Sequence, residues 1–118
     1  MTRIKEFFKS FRHALRGLRY AIKNEKNFQN ELVIAFLAII AMFYFRVTRP
    51  EVIVTSTMIM AVMVMEMLNT IVERIIDILK PGIHPYARLI KDLMAASVLL
   101  VSLLALIIGL IIFIPYIF

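Results

Sequence analysis

The sequence predicts an all-α integral membrane protein: an N-terminal amphipathic surface helix followed by three transmembrane helices. Three observations carry this. Hydrophobic residues make up 62% of the 118, with a mean hydropathy of +0.88, whereas soluble domains run at about 45–50% apolar. Apolar runs recur at lengths that suit membrane spans, the last of them, residues 93–118, without a single charge. The formal charge of +6 is unevenly spread, with basic residues gathered at the N-terminus beside apolar segments. That arrangement suits an anionic membrane surface rather than nucleic acid. The length allows one domain, 1–118.

The elements follow in order. Over residues 1–24, Ile4, Phe7, Phe8, Phe11, Leu15, Leu18 and Ile22 recur at helical spacing, and Lys5, Lys9, Arg12, Arg16, Arg19 and Lys23 occupy the other side. Aromatic residues beneath a basic face describe a helix lying on a membrane. The stretch lacks the apolar core of a signal peptide, so no cleavage is expected. Asn24–Glu31 reads as a polar, solvated connector. The first span is expected over 31–47: Leu32–Phe45 is continuously apolar, and Tyr44 and Arg46 can reach the interface. Thr48, three residues before Glu51, has capping-box spacing, with Pro50 in the first turn. The second span is expected over 50–79 and ends at Lys80-Pro81-Gly82. His84-Pro85 opens the third, 85–118.

Within the second span, Glu66, Asn69, Glu73 and Asp77 stand at steps of three, four and four. At about 100° per residue they fall within roughly 80° of one another, on one helix face. Acidic side chains at membrane depth cost about 2.5–3.5 kcal/mol each, so a cation, a basic partner or protonation must offset them. Glu66, flanked by Val64, Met65, Met67 and Leu68, suits a general base or a proton carrier. Glu73 and Asp77 suit a divalent metal with oxygen ligands. The alternative is plain interhelical pairing with Arg74, Lys80, Arg88 and Lys91. The positive-inside rule places the N-terminus and the 80–91 loop in the cytoplasm, with Asp77 at the cytoplasmic end of the stripe.

Other chemistry is missing. The absence of cysteine excludes disulfides and thiol catalysis. The three glycines, Gly17, Gly82 and Gly109, form no phosphate-binding loop. His13 and His84 lack metal-ligand spacing, and the methionines of 58–67 read as packing or lipid-facing residues.

Glu66-x-x-Asn69-Thr70-x-x-Glu73-x-x-x-Asp77, then His84-Pro85 and Lys91-Asp92-x-x-Ala95-Ala96, closely resembles the signature of the bacterial membrane-integral diacylglycerol kinase family. That family includes the undecaprenol kinases of Gram-positive bacteria. Gly17-Leu18-Arg19 and Asn24-Glu25 with Phe28-x-x-Glu31 extend the resemblance over nearly the whole chain. Ile71 and Val72 are bulkier than the residues many members carry and read as packing. His13 stands where some relatives have Tyr, and the match before Ser10 is poor.

The resemblance implies a homotrimer with active sites at subunit interfaces, in the bacterial cytoplasmic membrane with the site facing the cytoplasm. It implies transfer of the ATP γ-phosphate, with Mg2+, to a lipid alcohol, either diacylglycerol or undecaprenol. By resemblance Glu66 is the general base and Glu25 and Glu73 are metal ligands. Asn69, Asp77, Gly82, His84, Lys91 and Asp92 belong to the nucleotide site, and Arg12, Arg19, Glu31, Ala95 and Ala96 to the lipid-substrate interface. The His84-Pro85-x-Ala87-Arg88 loop looks closer to the Gram-positive relatives, which leans toward undecaprenol. Two readings from other classes stand beside this one: a small oligomeric proton or cation transporter built on the acidic stripe, and an accessory membrane subunit without activity.

Overall fold

The structure, a computed structural model, describes residues 2–79 and 85–118. Among these there are four helices: α1 Thr2–Asn24, α2 Lys26–Phe45, α3 Arg49–Ile78 and α4 Pro85–Ile117. The last three are long and apolar enough to cross a membrane. The stop signal Lys80-Pro81-Gly82 lies outside the described residues. At 1.5 Å per residue α2 measures about 30 Å, the thickness of a hydrocarbon core, while α3 and α4 reach about 45 and 50 Å. The two longer helices exceed that thickness.

The asymmetry of burial is that of a membrane protein. Buried apolar residues are few: Ala21, Phe28, Ala35, Met42, Val62, Ile76 and Ile112. Side chains such as Phe36, Phe43, Leu99, Leu100 and Ile111 stand exposed. Water would not tolerate so much contiguous apolar surface, whereas hydrocarbon does.

α3 is the hub, packing on α4 most extensively and on α2 as well. Its covered residues Thr55, Ile59, Val62, Glu66, Asn69, Glu73 and Ile76 alternate steps of four and three. α4 answers with Lys91, Met94, Val98, Val101, Ala105, Ile108 and Ile112 in the same alternation. This is the seam spacing of two helices that keep one face together along their length. The acidic stripe is thus an extension of the packing seam, not an isolated polar patch.

The joint between α1 and α2 is one residue. Glu25 (φ −104°, ψ 110°) leaves helical geometry, and the helix resumes at Lys26. Gln29 Nε2 donates to the carbonyls of Ile22 (2.9 Å) and Lys23 (3.2 Å), and Asn24 Nδ2 to that of Tyr20 (3.0 Å). These bonds satisfy the C-terminal carbonyls of α1. The stretch Asn24–Glu31 is therefore not a solvated connector. α2 begins five residues before the expected 31 and ends two before 47, because Phe28 is buried and anchors the polar turn as helix.

At the other end Arg46 adopts the left-handed conformation (φ 51°), and Val47 N–H reaches back to Met42 O (3.3 Å), the geometry that closes α2. Thr48 and Glu51 form the capping box: Thr48 N–H donates to Glu51 Oε1 (2.9 Å), and Glu51 N–H to Thr48 Oγ1 (3.4 Å). Tyr116 O–H also donates to Glu51, tying the end of α4 to the start of α3. Phe45 stacks obliquely on Phe113 and Tyr116 (centroids 6.2 and 5.9 Å). Thr48→Ala is expected to lower stability by about 1 kcal/mol, read as a shifted unfolding midpoint in detergent, with Thr48→Ser largely restoring it.

Between α2 and α4, floored by α3, runs an apolar groove of about 510 Å³. Thr55, 7% exposed, lies on its wall with no hydrogen-bond partner for its hydroxyl.

Candidate active site

The end of the bundle where α1 meets α2 gathers the chemistry. Glu66 is 7% exposed, held within the α3 seam, with no basic partner among the described residues. The carboxylates within electrostatic reach of it are Glu31 on α2 and Glu73 on α3. One turn further along α3, Asn69 Nδ2 donates to Glu73 Oε1 (3.2 Å). The i,i+4 relation brings the two groups together and orients the Glu73 carboxylate.

Beyond Glu73 the site becomes a charge network. Arg74 pairs with Glu25 at the α1–α2 joint and stands 4.0 Å from Asp77. It also donates to the Tyr20 hydroxyl oxygen on α1. Lys91 Nζ on α4 donates to Asp77 Oδ1 (3.1 Å). One network therefore links α1, the α1–α2 joint, α3 and α4. Glu25 is its most covered member, with a side chain 14% exposed, whereas Arg74, Lys91 and Asp77 remain substantially open to solvent.

The residues predicted from sequence divide accordingly. Glu25 at the α1–α2 joint and Asp77 and Lys91 on α3 and α4 meet through Arg74 and each other, and Glu66, Asn69 and Glu73 adjoin them along α3. Glu31 is half-buried and lines the apolar groove. Arg12, Arg19, Asp92, Ala95 and Ala96 are exposed in the single chain, and the three charged ones make no ion pair among the described residues. Gly82 and His84 lie outside the described residues. The interhelical pairing weighed as an alternative is present for Asp77 and, among the described residues, absent for Glu66. Tyr20 had no sequence signal beyond a polar-tipped aromatic at the end of α1.

The prokaryotic diacylglycerol kinase description matches residues 12–113. The undecaprenol kinase of Bacillus subtilis is 34% identical over 112 residues, covering 95% of this chain and 91% of its own. The chain belongs to the prokaryotic diacylglycerol kinase family. Other relatives of this family member are the diacylglycerol kinase of Haemophilus influenzae, 32% identical and covering 82% of each chain, and that of Escherichia coli, 28% identical over 90% of this chain and 87% of its own. These names leave the transporter reading without support.

Prokaryotic diacylglycerol kinase membership raises the question of a divalent metal. Among the described residues no group of three or more carboxylates and imidazoles is close enough to hold an ion. Mg2+ does not require one: it commonly takes one or two carboxylates and completes its shell with water and phosphate oxygens. Glu25 and Glu73 offer such hard oxygen donors, and the cation already attracted to Glu25 is the Arg74 guanidinium. Both carboxylates are oxygen donors of the kind Mg2+ takes.

Proposed function

We propose that this chain is a lipid kinase of the bacterial cytoplasmic membrane that transfers the ATP γ-phosphate to a lipid alcohol. The carrying observation is the pairing of a buried, uncompensated Glu66 with an adjacent network of solvent-reachable charges. Phosphoryl transfer demands positioning and charge neutralisation more than covalent help. Lys91 and Arg74 offer cations to the phosphates, Asn69 orients Glu73, and Glu25 and Glu73 would hold Mg2+. When bound, the metal neutralises charge on the β- and γ-phosphates. Glu66 takes the proton of the lipid hydroxyl as its oxygen attacks the γ-phosphorus, the bond to the β-phosphate oxygen breaks, and ADP leaves with the electron pair. Gly82, His84, Asp77 and Asp92 complete the nucleotide site in this reading.

α1 lies on the cytoplasmic surface with Phe7, Phe8 and Phe11 in the interface and Arg12 and Arg19 toward lipid headgroups. Support comes from the basic residues of α1 and the alternation of its aromatic and charged positions. The chain assembles as a homotrimer, and the exposed Ala95 and Ala96 suit close approach to lipid or a neighbouring subunit. Undecaprenol is the acceptor we favour, supported by the 34% identity to the Bacillus subtilis undecaprenol kinase and by the His84-Pro85-x-Ala87-Arg88 sequence.

The test offers purified protein in mixed micelles labelled ATP and Mg2+ with undecaprenol or diacylglycerol in parallel, and repeats each with a chelator. Label is expected in lipid, faster with undecaprenol, and lost on chelation. Label in neither lipid from a well-folded sample would overturn the proposal.

A further inference from the structure

Arg74 lies outside the motif read from the sequence, yet several parts of the polar site meet at it. Its Nη2 pairs with Glu25 Oε1 at the α1–α2 joint, and its Nη1 stands 4.0 Å from Asp77 Oδ2 on α3. The guanidinium also donates to the Tyr20 hydroxyl oxygen on α1. A rigid fork of N–H donors can serve all three.

Glu25 can be held in this way because it does not cap α2. It occupies the N-cap position, where a side-chain oxygen ordinarily accepts from the first turn, and its carboxylate makes no such bond. Glu73 is held differently, by the neutral Asn69 amide (3.2 Å) and by no cation among the described residues. Of the two carboxylates proposed for the metal, one is contested by a resident cation and the other is not. The guanidinium also has a second seat. Lys91 takes Asp77 Oδ1 (3.1 Å), which leaves Oδ2 facing Nη1 at 4.0 Å, about 1 Å beyond hydrogen-bond length. The Arg74 side chain is 46% exposed, so it has room to swing.

We propose that Arg74 is an exchangeable counter-cation: it holds Glu25 in the free protein and releases that carboxylate to a divalent metal when nucleotide phosphates draw its charge away. This rests on the lipid kinase reading, with Glu25 as a metal ligand, and adds an order to ligand binding. While the guanidinium sits on Glu25, a divalent ion must displace a cation to reach the oxygen and then meets its repulsion. Polyphosphate reverses both effects, since it offers Arg74 a bidentate partner and brings negative charge that favours the metal. Asp77 Oδ2 keeps the displaced guanidinium within the site.

The test uses the full-length protein in detergent micelles at about 0.15 M salt and measures two separate equilibria. One is Mn2+ binding without nucleotide, followed by electron paramagnetic resonance. The other is binding of a non-hydrolysable ATP analogue without metal. Arg74→Gln is expected to tighten Mn2+ about fivefold, the scale of removing one ion pair, and to weaken the analogue by a similar factor. A merely bracing residue would not give opposite signs, because lost order weakens both. Arg74→Lys keeps the charge and is expected to lie between Arg74→Gln and wild type. Tyr20→Phe removes only an acceptor of the guanidinium and is expected to tighten Mn2+ about twofold, which serves if Arg74→Gln does not fold. Arg3→Gln, the same charge change about 30 Å along α1, is expected to alter neither equilibrium.

Mn2+ binding unchanged or weakened in Arg74→Gln, or tightened equally in Arg3→Gln, would overturn the inference. Glu25→Gln separates it from the reading beneath it. In that background the gain from Arg74→Gln is expected to vanish, and a gain that persists would overturn exchange at Glu25. Wild-type Mn2+ binding indifferent to both Glu25→Gln and Glu73→Gln would remove the metal-ligand reading itself, and the inference with it.

Discussion

Glu66→Gln is expected to cut phosphoryl transfer to a lipid alcohol by about 10²–10⁴-fold, the usual worth of a positioned general base. The replacement keeps the shape of the side chain and removes its capacity to accept a proton. Because Glu66 makes no ion pair among the described residues, no partner is orphaned by the change. Helix content, nucleotide binding and unfolding midpoint are expected to stay near wild type, and the midpoint to rise where the buried charge was costly. Loss of activity with a collapsed fold would point to a structural role. Full activity would remove Glu66 from the chemistry.

Lys91→Ala is expected to lower kcat/KM for ATP by about 10²-fold, the scale of losing one charge-stabilising group at a phosphate. Here the partner matters, since Lys91 also holds Asp77 at 3.1 Å. A cycle with Asp77→Asn separates the two roles. If Lys91 acts on phosphate, the double variant is more impaired than Asp77→Asn alone. If Lys91 serves only to neutralise Asp77, the double variant is no worse than Asp77→Asn alone. Lys91→Arg keeps the charge and is expected to retain part of the activity.

The fold was legible wherever hydrophobic periodicity had a single explanation. α4 has no charge over residues 93–118, and Thr48 with Glu51 specifies a helix start by spacing alone. The α1–α2 joint was less legible. Asn24–Glu31 is polar enough to read as a loop, and only tertiary contact reveals that Phe28 is buried and Gln29 caps the helix before it. The stripe of Glu66, Asn69, Glu73 and Asp77 could be read from steps of three and four. Its relation to Glu25 came through the family resemblance alone, because the bond from Arg74 to Glu25 closes a separation of 49 residues that no local pattern encodes. The same holds for the groove, whose alanines look like ordinary membrane-helix residues until two helices face each other.

That Glu25 alone joins α1 to α2 has a mechanical consequence. α1 is a rod of about 35 Å, and its pivot is the residue whose carboxylate belongs to the polar site. A tilt of about 10° swings the far end through roughly 6 Å by that length, yet leaves the pivot in place. A tilt at that joint is therefore felt most at Phe7 and Phe8 and least at the fulcrum.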